Sequence, residues 1–296
     1  MNILKATKEE RIDKYLASIL ELSRSKIQTL LENELITVNG HTIKNNYQLK
    51  IDDEIIIIDD KSVCIKDLLP ENIPLEIVYE DEDLLVINKE SGMVVHPAAG
   101  NYEHTLVNAL LYHFNISGSD LIRPGIVHRL DKNTSGLMLA AKNDKVHEML
   151  SDMIKNREVE RYYLAIVDGV IKNETGTIDA PIGRDENNRL RMAVTSLNSK
   201  IAITNFTVLK RFKNHTLIRC KLETGRTHQI RVHMAYIGHP ITNDPLYNSK
   251  KATSFGQMLH SCQIKFTHPL TKEVLEFKVD PPKEFMDELN YLEETE

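Results

Sequence analysis

The sequence predicts an α+β protein with a small N-terminal module and a larger second domain, built on a mixed, mostly antiparallel sheet flanked by helices. Three observations support this fold class. Two amphipathic, helix-like segments and an Asn-Gly turn fill the first 60 residues. A stretch containing Pro70 and Pro74 follows, and proline limits regular structure. Beyond it, strand-like segments often succeed one another without an intervening helix, which favours an α+β domain.

The N-terminal module is predicted to contain two helices and a hairpin. On the first helix, apolar residues recur with helical spacing on one face: Ile12, Tyr15, Leu16, Ile19 and Leu20. On the second helix, which Ser23 or Ser25 can cap, the inward residues are Ile27, Leu30 and Leu31. Asn39-Gly40 predicts a tight turn between two short strands, because both residues tolerate positive φ. A strand over residues 53–59 closes the module.

The larger domain mixes strands and helices in an irregular order. Apolar segments predict strands over residues 77–81, 84–89, 136–142, 161–169, 203–210 and 215–223. Helical patterns cover residues 105–114, 144–155 and 228–238. The predicted parts of the chain are the module at residues 1–60, a linker at 61–74, the larger domain at 75–290 and an acidic tail at 291–296, which we expect to be partly disordered.

The charge of the chain is unevenly distributed. The formal net charge is −6, which by itself argues against a polyanionic partner. Residues 205–251 nevertheless carry nine Lys and Arg against two acids, and residues 121–145 carry five against two. Acids concentrate at residues 71–90 and 281–296. Because an acidic chain can carry a basic face, nucleic-acid binding stays open, but charge alone supports it only weakly.

The sequence predicts a cytoplasmic protein without membrane association. Apolar runs such as Leu137 to Ala141 are far shorter than the roughly 18 residues of a membrane span. The N-terminus lacks the apolar core of a secretory signal. Cys64, Cys220 and Cys262 form no CxxC pair, so we expect reduced, mostly buried thiols.

The common cofactor motifs are missing. There is no G-x-G pair, which removes the usual fingerprint of a nicotinamide or methyl-donor site, and there is no P-loop. H-E-x-x-H and C-x-x-C are also absent from the sequence. We therefore expect neither a cofactor nor a metal.

Two segments stand out as candidates for chemistry. In the first, residues 125–142, clustered charges lie on a loop between apolar stretches, where function is often found. The ordinary role of a lone Asp in such a turn is local backbone hydrogen bonding. In the second, residues 222–245, Thr227 can cap a helix that Gly238 ends. Arg226 at the helix start opposes the helix dipole, which predicts a carboxylate or phosphate partner for it.

The motifs in these segments resemble those of the RluA/RluD family of pseudouridine synthases. H-R-L-D at His128 to Asp131, followed by K-N-T-S-G-L, is the most specific of them. The others occur in the family's order: V-I-N-K and V-V-H-P near residues 86–97, R-x-Y-x-A at 161–165 and L-x-T-G-R-T-H-Q-I-R-V-H at 222–233. The family's G-D-P-x-Y appears with Asn243 in place of glycine. Residues 10–60 resemble the S4 RNA-binding domain, and such a domain marks the RluD-like branch.

The resemblance implies a role for specific residues. Asp131 would be the catalytic carboxylate, paired with Arg226, and Tyr163 would stack on the target base and assist proton transfer at C5. Tyr162 would point to the other face of the strand. The residues expected to contact the RNA or the flipped uridine are Arg129, His128 and Leu222, and in the S4 module Arg11, Lys14, Arg24 and Lys26.

The implied reaction suits a chain without cofactor motifs. Pseudouridine formation breaks the C1′–N1 bond and joins C1′ to C5, and no electrons leave the substrate. The implied partner is RNA, specifically 23S ribosomal RNA or a precursor of the large ribosomal subunit, bound by a monomeric enzyme.

Three other functions remain to be weighed. A glycosidase-like hydrolase would need two carboxylates at the site, and no second acid stands out near Asp131 in sequence. A pure RNA-binding or ribosome-assembly factor would tolerate Asp131→Asn, whereas an isomerase would not. An S4-linked methyltransferase is disfavoured by the missing glycine-rich loop.

Overall fold

The computed structural model divides the chain into two compact units, residues 1–67 and residues 68–296. It describes residues 2–20, 24–32, 34–58, 69–96, 103–114, 116, 124–188, 190–248, 250 and 252–295. The predicted linker lies partly outside these ranges, and the boundaries at residues 60 and 74 stay predictions. Within the described residues, the helices are too short and too polar to cross a bilayer.

The first unit packs two helices against a four-stranded antiparallel sheet. Its elements are β1 (Asn2–Lys5), α1 (Ile12–Leu20), α2 (Arg24–Glu32), β2 (Ile36–Val38), β3 (His41–Thr42) and β4 (Glu54–Ile57). The strand order is β1-β4-β2-β3. Asn39 and Gly40 connect β2 to β3 with φ angles of 51° and 78°, so the predicted hairpin is confirmed.

The helical periodicity correctly predicts the residues that the two helices contribute to this unit's core. Ile12, Tyr15 and Leu16 are buried as predicted, as are Ile27 and Leu31 on the second helix. The prediction that Ile19 is buried is wrong, because this residue is 45% exposed near the end of α1. Ser23 and the side chain of Ser25, the two candidate caps, lie outside the described residues.

The second unit is built on a nine-stranded mixed sheet. Its first elements are β5 (Glu76–Glu80), β6 (Leu84–Lys89), α3 (Leu106–His113), β7 (Ser135–Ala141), α4 (Asp144–Lys155), β8 (Glu160–Asp168) and β9 (Thr175–Asp179). Those that follow are β10 (Ile182–Arg184), β11 (Met192–Val194), β12 (Ile203–Arg211), β13 (His215–Leu222), α5 (Gln229–Tyr236), β14 (Leu259–Thr267), β15 (Val274–Lys278) and α6 (Lys283–Thr295).

The sheet confirms the mixed, mostly antiparallel fold class. Its order is β5-β6-β7-β14-β8-β13-β12-β9, β15 also pairs with β14, and β10 and β11 form a separate hairpin. Among the paired strands of the described chain, β7 and β14 alone run parallel. Gly136 of β7 has φ +108°, and an added Cβ would lie 2.2 Å from the carbonyl oxygen of Ser261. The close approach of these two central strands therefore requires glycine.

Several elements were not predicted from the sequence. They are β1, β9, β10, β11, β14, β15 and α6. The expectation of partial disorder at residues 291–296 is wrong through Thr295, because α6 continues there and buries Phe285 and Leu292. The many acidic residues of this segment led to the expectation of disorder, although its apolar residues lie on one face of a helix.

Candidate active site

Asp131 lies in the loop that leads into β7, and backbone contacts hold this loop in place. The Thr134 N–H donates to the Asp131 carbonyl at 3.0 Å and closes a turn. The carbonyl of Lys132 accepts from the Gly92 N–H at 2.9 Å and from the Lys89 ammonium at 3.1 Å. The loop is thus tied to the end of β6.

Lys89 is a buried cation that anchors the loop. An ammonium offers three N–H donors, and the Lys89 Nζ also donates to the carbonyls of Glu90 at 2.7 Å and Met93 at 3.0 Å. Burial lowers the pKa of Lys89 to about 7, while the negative charge of Asp131 raises it. The same side chain therefore positions the Asp131 loop, and below about pH 7 it also places positive charge near it.

Arg231 connects Asp131 to a second carboxylate. Its Nη1 donates to Asp131 Oδ2 at 2.8 Å, while Nε and Nη2 donate to Asp244 at 2.6 and 2.9 Å. Asp244 is fully buried and also accepts from the N–H groups of Leu246 and Tyr247. Burial opposes the charge of Arg231, but the two carboxylates raise its pKa above the usual value. The guanidinium is therefore a fixed positive charge beside Asp131.

The predicted pairing of Asp131 with Arg226 is wrong, because the carboxylate is bound by Arg231. Arg226 is half-buried, and its Nε donates to the carbonyl of Ile201 at 2.8 Å. Its N–H donates to Gln229 Oε1 at 3.0 Å. Arg226 does line the same cavity as Asp131, so it lies near the site without holding the carboxylate.

The start of α5 explains this difference. Thr227 was predicted to cap the helix, but the N-cap is His228, in the left-handed conformation with φ 57°, and it makes no side-chain cap. Arg231 consequently lies in the first turn, where its charge opposes the helix dipole just as predicted for Arg226. The dipole argument therefore applies to Arg231, but only once the start of the helix is known.

The side chains around Asp131 form a small recess. Its lining residues are Arg129, Leu130, Asp131, Thr134, Tyr163, Leu222, Arg226, His228, Gln229, Ile230, Arg231 and Leu259. The recess holds about 50 Å³ and is open to solvent, with room for a few waters at roughly 10–15 Å³ each on this measure. A base bound here would also extend into the open mouth of the recess. Arg129 is exposed there, and Arg226 is half-buried.

Tyr163 and Tyr162 lie on opposite faces of β8, as predicted. Tyr163 is 5% exposed and lines the recess. Burial raises the pKa of its phenol, although Arg161 lowers it in part. Tyr162 instead donates to Glu160 at 2.6 Å and lies under the guanidinium of Arg219 at 4.2 Å. Tyr163 is thus the tyrosine of this pair that lies beside Asp131.

His128 contacts the backbone of β7. Its Nε2 accepts from the Leu139 N–H at 2.9 Å, so the proton of the neutral ring lies on Nδ1, which is buried and has no hydrogen-bond partner among the residues that the structure describes. Burial, with a contribution from Arg161, lowers the pKa of His128 to about 3. His128 does not line the recess of the described chain. Its contact with RNA stays a prediction.

Gln229 is a further residue that sequence reasoning missed. Its Oε1 accepts from Thr224 Oγ1 at 2.8 Å, and its Nε2 donates to Thr204 Oγ1 and to the carbonyl of Ile203, both at 3.0 Å. These bonds hold the loop between β13 and α5 against β12.

In the first unit, two of the predicted RNA contacts share a buried carboxylate. Asp13 is fully buried and accepts from Arg11 at 3.1 and 2.9 Å and from Arg24 at 2.5 Å. Burial raises the pKa of Asp13, but both arginines lower it to below the usual value. Lys14 is exposed, and the side chain of Lys26 lies outside the described residues. Both arginines remain roughly half exposed, with donors left for a phosphate.

A larger cavity lies elsewhere in the second unit. It holds about 850 Å³ beside β6 and β15. Its lining includes the acids Glu76, Glu90 and Asp280 against Lys89, which is bound to carbonyls, and Lys278. This excess of negative charge suits a polyanion poorly, so size alone does not make it the better candidate.

One cluster within the described ranges has the residue types of a metal site, but its protonation does not fit a cation. Asp81, Asp83 and His268 bring potential ligand atoms within 4.8 Å of one another. His268 Nδ1 accepts from the N–H groups of Leu270 and Thr271, so Nε2 carries the proton toward Asp81. A metal would require that nitrogen unprotonated.

Two family models match the chain. That of the RNA pseudouridylate synthases matches residues 83–236, and that of the S4 domain matches residues 10–55. The first range contains Asp131, Tyr163 and Arg231.

Relatives match over nearly the whole chain. An uncharacterized RNA pseudouridine synthase of Bacillus subtilis, YlyB, is 48% identical, over 95% of this chain and 93% of its own length. The ribosomal large subunit pseudouridine synthase D of Zymomonas mobilis is 41% identical, over 93% and 91%. Among solved structures, the human RNA pseudouridylate synthase domain containing 1 matches with a TM-score of 0.60 and 28% identity, covering 72% of this chain and 85% of that one.

Proposed function

The chain belongs to the RNA pseudouridine synthase family, and we propose that Asp131 is the carboxylate with which it isomerises uridine in large-subunit, 23S ribosomal RNA. The observation that carries the proposal is the setting of this side chain. Asp131 is 16% exposed, lines the recess and has one oxygen fixed by a buried arginine. The proposed substrate follows from the relatives named for the large ribosomal subunit.

Asp131 would act at the ribose carbon of the glycosidic bond. Its Oδ2 is occupied by Arg231, so Oδ1 is the oxygen available to the substrate. Arg231 orients the carboxylate and balances its charge while the bound base excludes water, and charge-assisted bonds of this kind are short and strong. Asp244 holds the guanidinium from the opposite side by two bonds.

The detached uracil must stay in the recess and turn before C5 meets C1′. Tyr163 and Leu222 supply a flat and an apolar surface for it. Because burial raises the pKa of Tyr163, its phenol is protonated near pH 7. A stacking role needs no ionisation, whereas accepting the C5 proton would first require loss of the phenol proton.

A uridine inside structured RNA reaches the recess only after flipping out, at a cost of a few kcal/mol. Arg129 is exposed at the mouth of the recess. Its planar guanidinium can stack on the neighbouring bases and fill the gap that the uridine leaves.

A glycosidase-like reaction fits this geometry less well. Such an enzyme needs two carboxylates that both reach the substrate. Asp244, the carboxylate joined to Asp131 through Arg231, is fully buried and both its oxygens accept hydrogen bonds. It is therefore a support for Arg231 and cannot contact a sugar.

The proposal is tested by mapping pseudouridine in total RNA from cells that carry the gene, lack it or carry Asp131→Asn. We expect one or more sites in large-subunit ribosomal RNA to depend on the gene and to be lost in Asp131→Asn. Asp280→Asn, which changes an exposed carboxylate at the larger cavity, should retain every site. Retention of all sites with Asp131→Asn, or dependence on Asp280, would show that the assignment is wrong.

A further inference from the structure

The two oxygens of Asp131 have different neighbours. Oδ2 accepts from Arg231 at 2.8 Å, while Oδ1 lies 3.9 Å from Nε2 of His228. That separation is too long for a direct hydrogen bond. It is, however, the distance that one oxygen atom would bridge if it lay about 2.8 Å from each of the two atoms.

Tyr247 determines which nitrogen of His228 carries the proton. The Tyr247 hydroxyl accepts from the Met192 N–H at 2.8 Å and lies 2.8 Å from His228 Nδ1. Within the described chain, that nitrogen is the one acceptor in reach of the hydroxyl proton. The hydroxyl therefore donates to Nδ1, and the neutral ring carries its own proton on Nε2, facing Asp131.

The surroundings of His228 also favour the neutral form of its ring. Burial lowers its pKa, and the charges of Arg231 and Arg129 lower it further, while Asp131 and Asp244 raise it in part. Near pH 7 the ring therefore presents one N–H donor to the recess and no charge. Asp131 Oδ1 presents an acceptor opposite it.

We propose that His228 Nε2 and Asp131 Oδ1 together bind the 2′-hydroxyl of the target uridine. A group between these atoms must accept from the first and donate to the second, and a hydroxyl does both. Carbon C2′ is the direct neighbour of C1′, where the proposed reaction takes place. The 2′-hydroxyl is also the group by which a protein distinguishes RNA from DNA. This inference rests on the proposed role of Asp131.

The left-handed backbone of His228 restricts the variants that can test it. Asn tolerates this conformation well, and its shorter amide can replace Nδ1 but cannot reach the position of Nε2. Gln extends further and can place a donor near Nε2. His228→Asn therefore removes the proposed contact with little backbone strain, and His228→Gln is the matched variant that can restore it.

The test measures kcat/KM on two short RNAs that contain a uridine whose conversion to pseudouridine is lost in the gene deletion, one all-ribose and one with 2′-deoxyuridine at that position. We expect the wild type to prefer the ribose substrate by about 10-fold, the size of one hydrogen bond. His228→Asn should lose most of this preference, mainly through a slower reaction of the ribose substrate, and His228→Gln should regain part of it.

The outcomes separate this inference from the function on which it rests. Equal losses on both RNAs in His228→Asn would show that the pair does not bind the 2′-hydroxyl, while the function stands. A wild-type enzyme that modifies neither RNA would contradict the proposed function itself. A His228→Asn enzyme that keeps the full wild-type preference for the all-ribose RNA would overturn the inference as well.

Discussion

At the scale of single residues, the site depends on how hydrogen-bond partners are shared. Arg231 gives two of its bonds to Asp244 and one to Asp131, so its orientation is fixed before any substrate binds. A planar fork of donors can do this, whereas the point charge of lysine cannot. Arg226 lies in the same recess but donates to a backbone carbonyl. The two arginines should therefore differ sharply in their kinetic roles.

We expect Arg231→Lys to lower kcat by about 10- to 100-fold, the range for loss of a charge-assisted hydrogen bond. The variant keeps a cation against the buried Asp244 and so should remain folded. Arg226→Ala, the comparison variant, should raise KM more than it lowers kcat. Single-turnover kinetics on the mapped RNA, with thermal melts for both proteins, measures the difference. If Arg226→Ala lowered kcat more than Arg231→Lys does, the pairing of Arg231 with Asp131 would not be the one on which catalysis depends.

At the scale of elements, the Asp131 loop leads into the central strand β7, which pairs with β14 at a glycine. β7 begins four residues after Asp131, and its Gly136 meets Ser261 of β14. An added Cβ at this position would overlap the Ser261 backbone. Gly92, which supports the same loop through its N–H, also has positive φ, but a Cβ there would meet nothing within 4 Å. Substitutions at Gly92 and Gly136 therefore allow the cost of backbone strain to be measured separately from the cost of steric overlap.

We expect Gly92→Ala to cost about 1–2 kcal/mol of unfolding free energy, the penalty for a left-handed alanine. Gly136→Ala carries the same penalty and the collision with Ser261, so its cost should exceed about 3 kcal/mol. Denaturant unfolding of the full chain, followed through the second unit, gives both values. If the two variants lost similar amounts of unfolding free energy, strands β7 and β14 would be able to move apart at little cost.

At the scale of the whole molecule, the charge pattern predicts that this acidic chain binds RNA through local groups of cationic residues. The net charge of −6 disfavours non-specific attraction to RNA, so affinity must come from local cations. In the first unit, Arg24 and the exposed Lys14 are candidates, and Arg11 can keep the buried Asp13 paired by itself. Both positions can therefore be neutralised without leaving a buried charge alone.

We expect the double variant Lys14→Gln and Arg24→Gln to reduce the slope of log affinity against log salt by about 1.4–1.8, or 0.7–0.9 for each lost phosphate contact. The control, Lys278→Gln with Lys283→Gln, removes the same charge next to Glu276 and Asp287 and should leave the slope unchanged. Fluorescence anisotropy with a ribosomal RNA fragment at several salt concentrations measures both. An unchanged slope in the first variant would exclude these S4 contacts.

Much of the fold and part of the site could be predicted from the sequence. Helical and alternating periodicities are local, so Ile12, Tyr15 and Leu16 could be assigned to a core and Tyr163 and Tyr162 to opposite faces of one strand. The strands β10 and β11 have three residues each, too few for a periodic pattern, and the edge strand β15 has no fully buried residue, so these strands lack that signal. The motif around Asp131 is contiguous, which made this residue predictable.

The sequence by itself determined the family and the fold class, and it predicts Asp131 as the carboxylate, because each of these is recorded in short-range patterns of residue type. The tertiary structure alone decided which arginine binds that aspartate, one hundred residues away along the chain. The decision depends on where α5 begins, since starting the helix at Gln229 turns Arg231 into the recess and leaves Arg226 in the preceding loop. The tautomer of His228 likewise depends on Tyr247 and Met192, which only folding brings together.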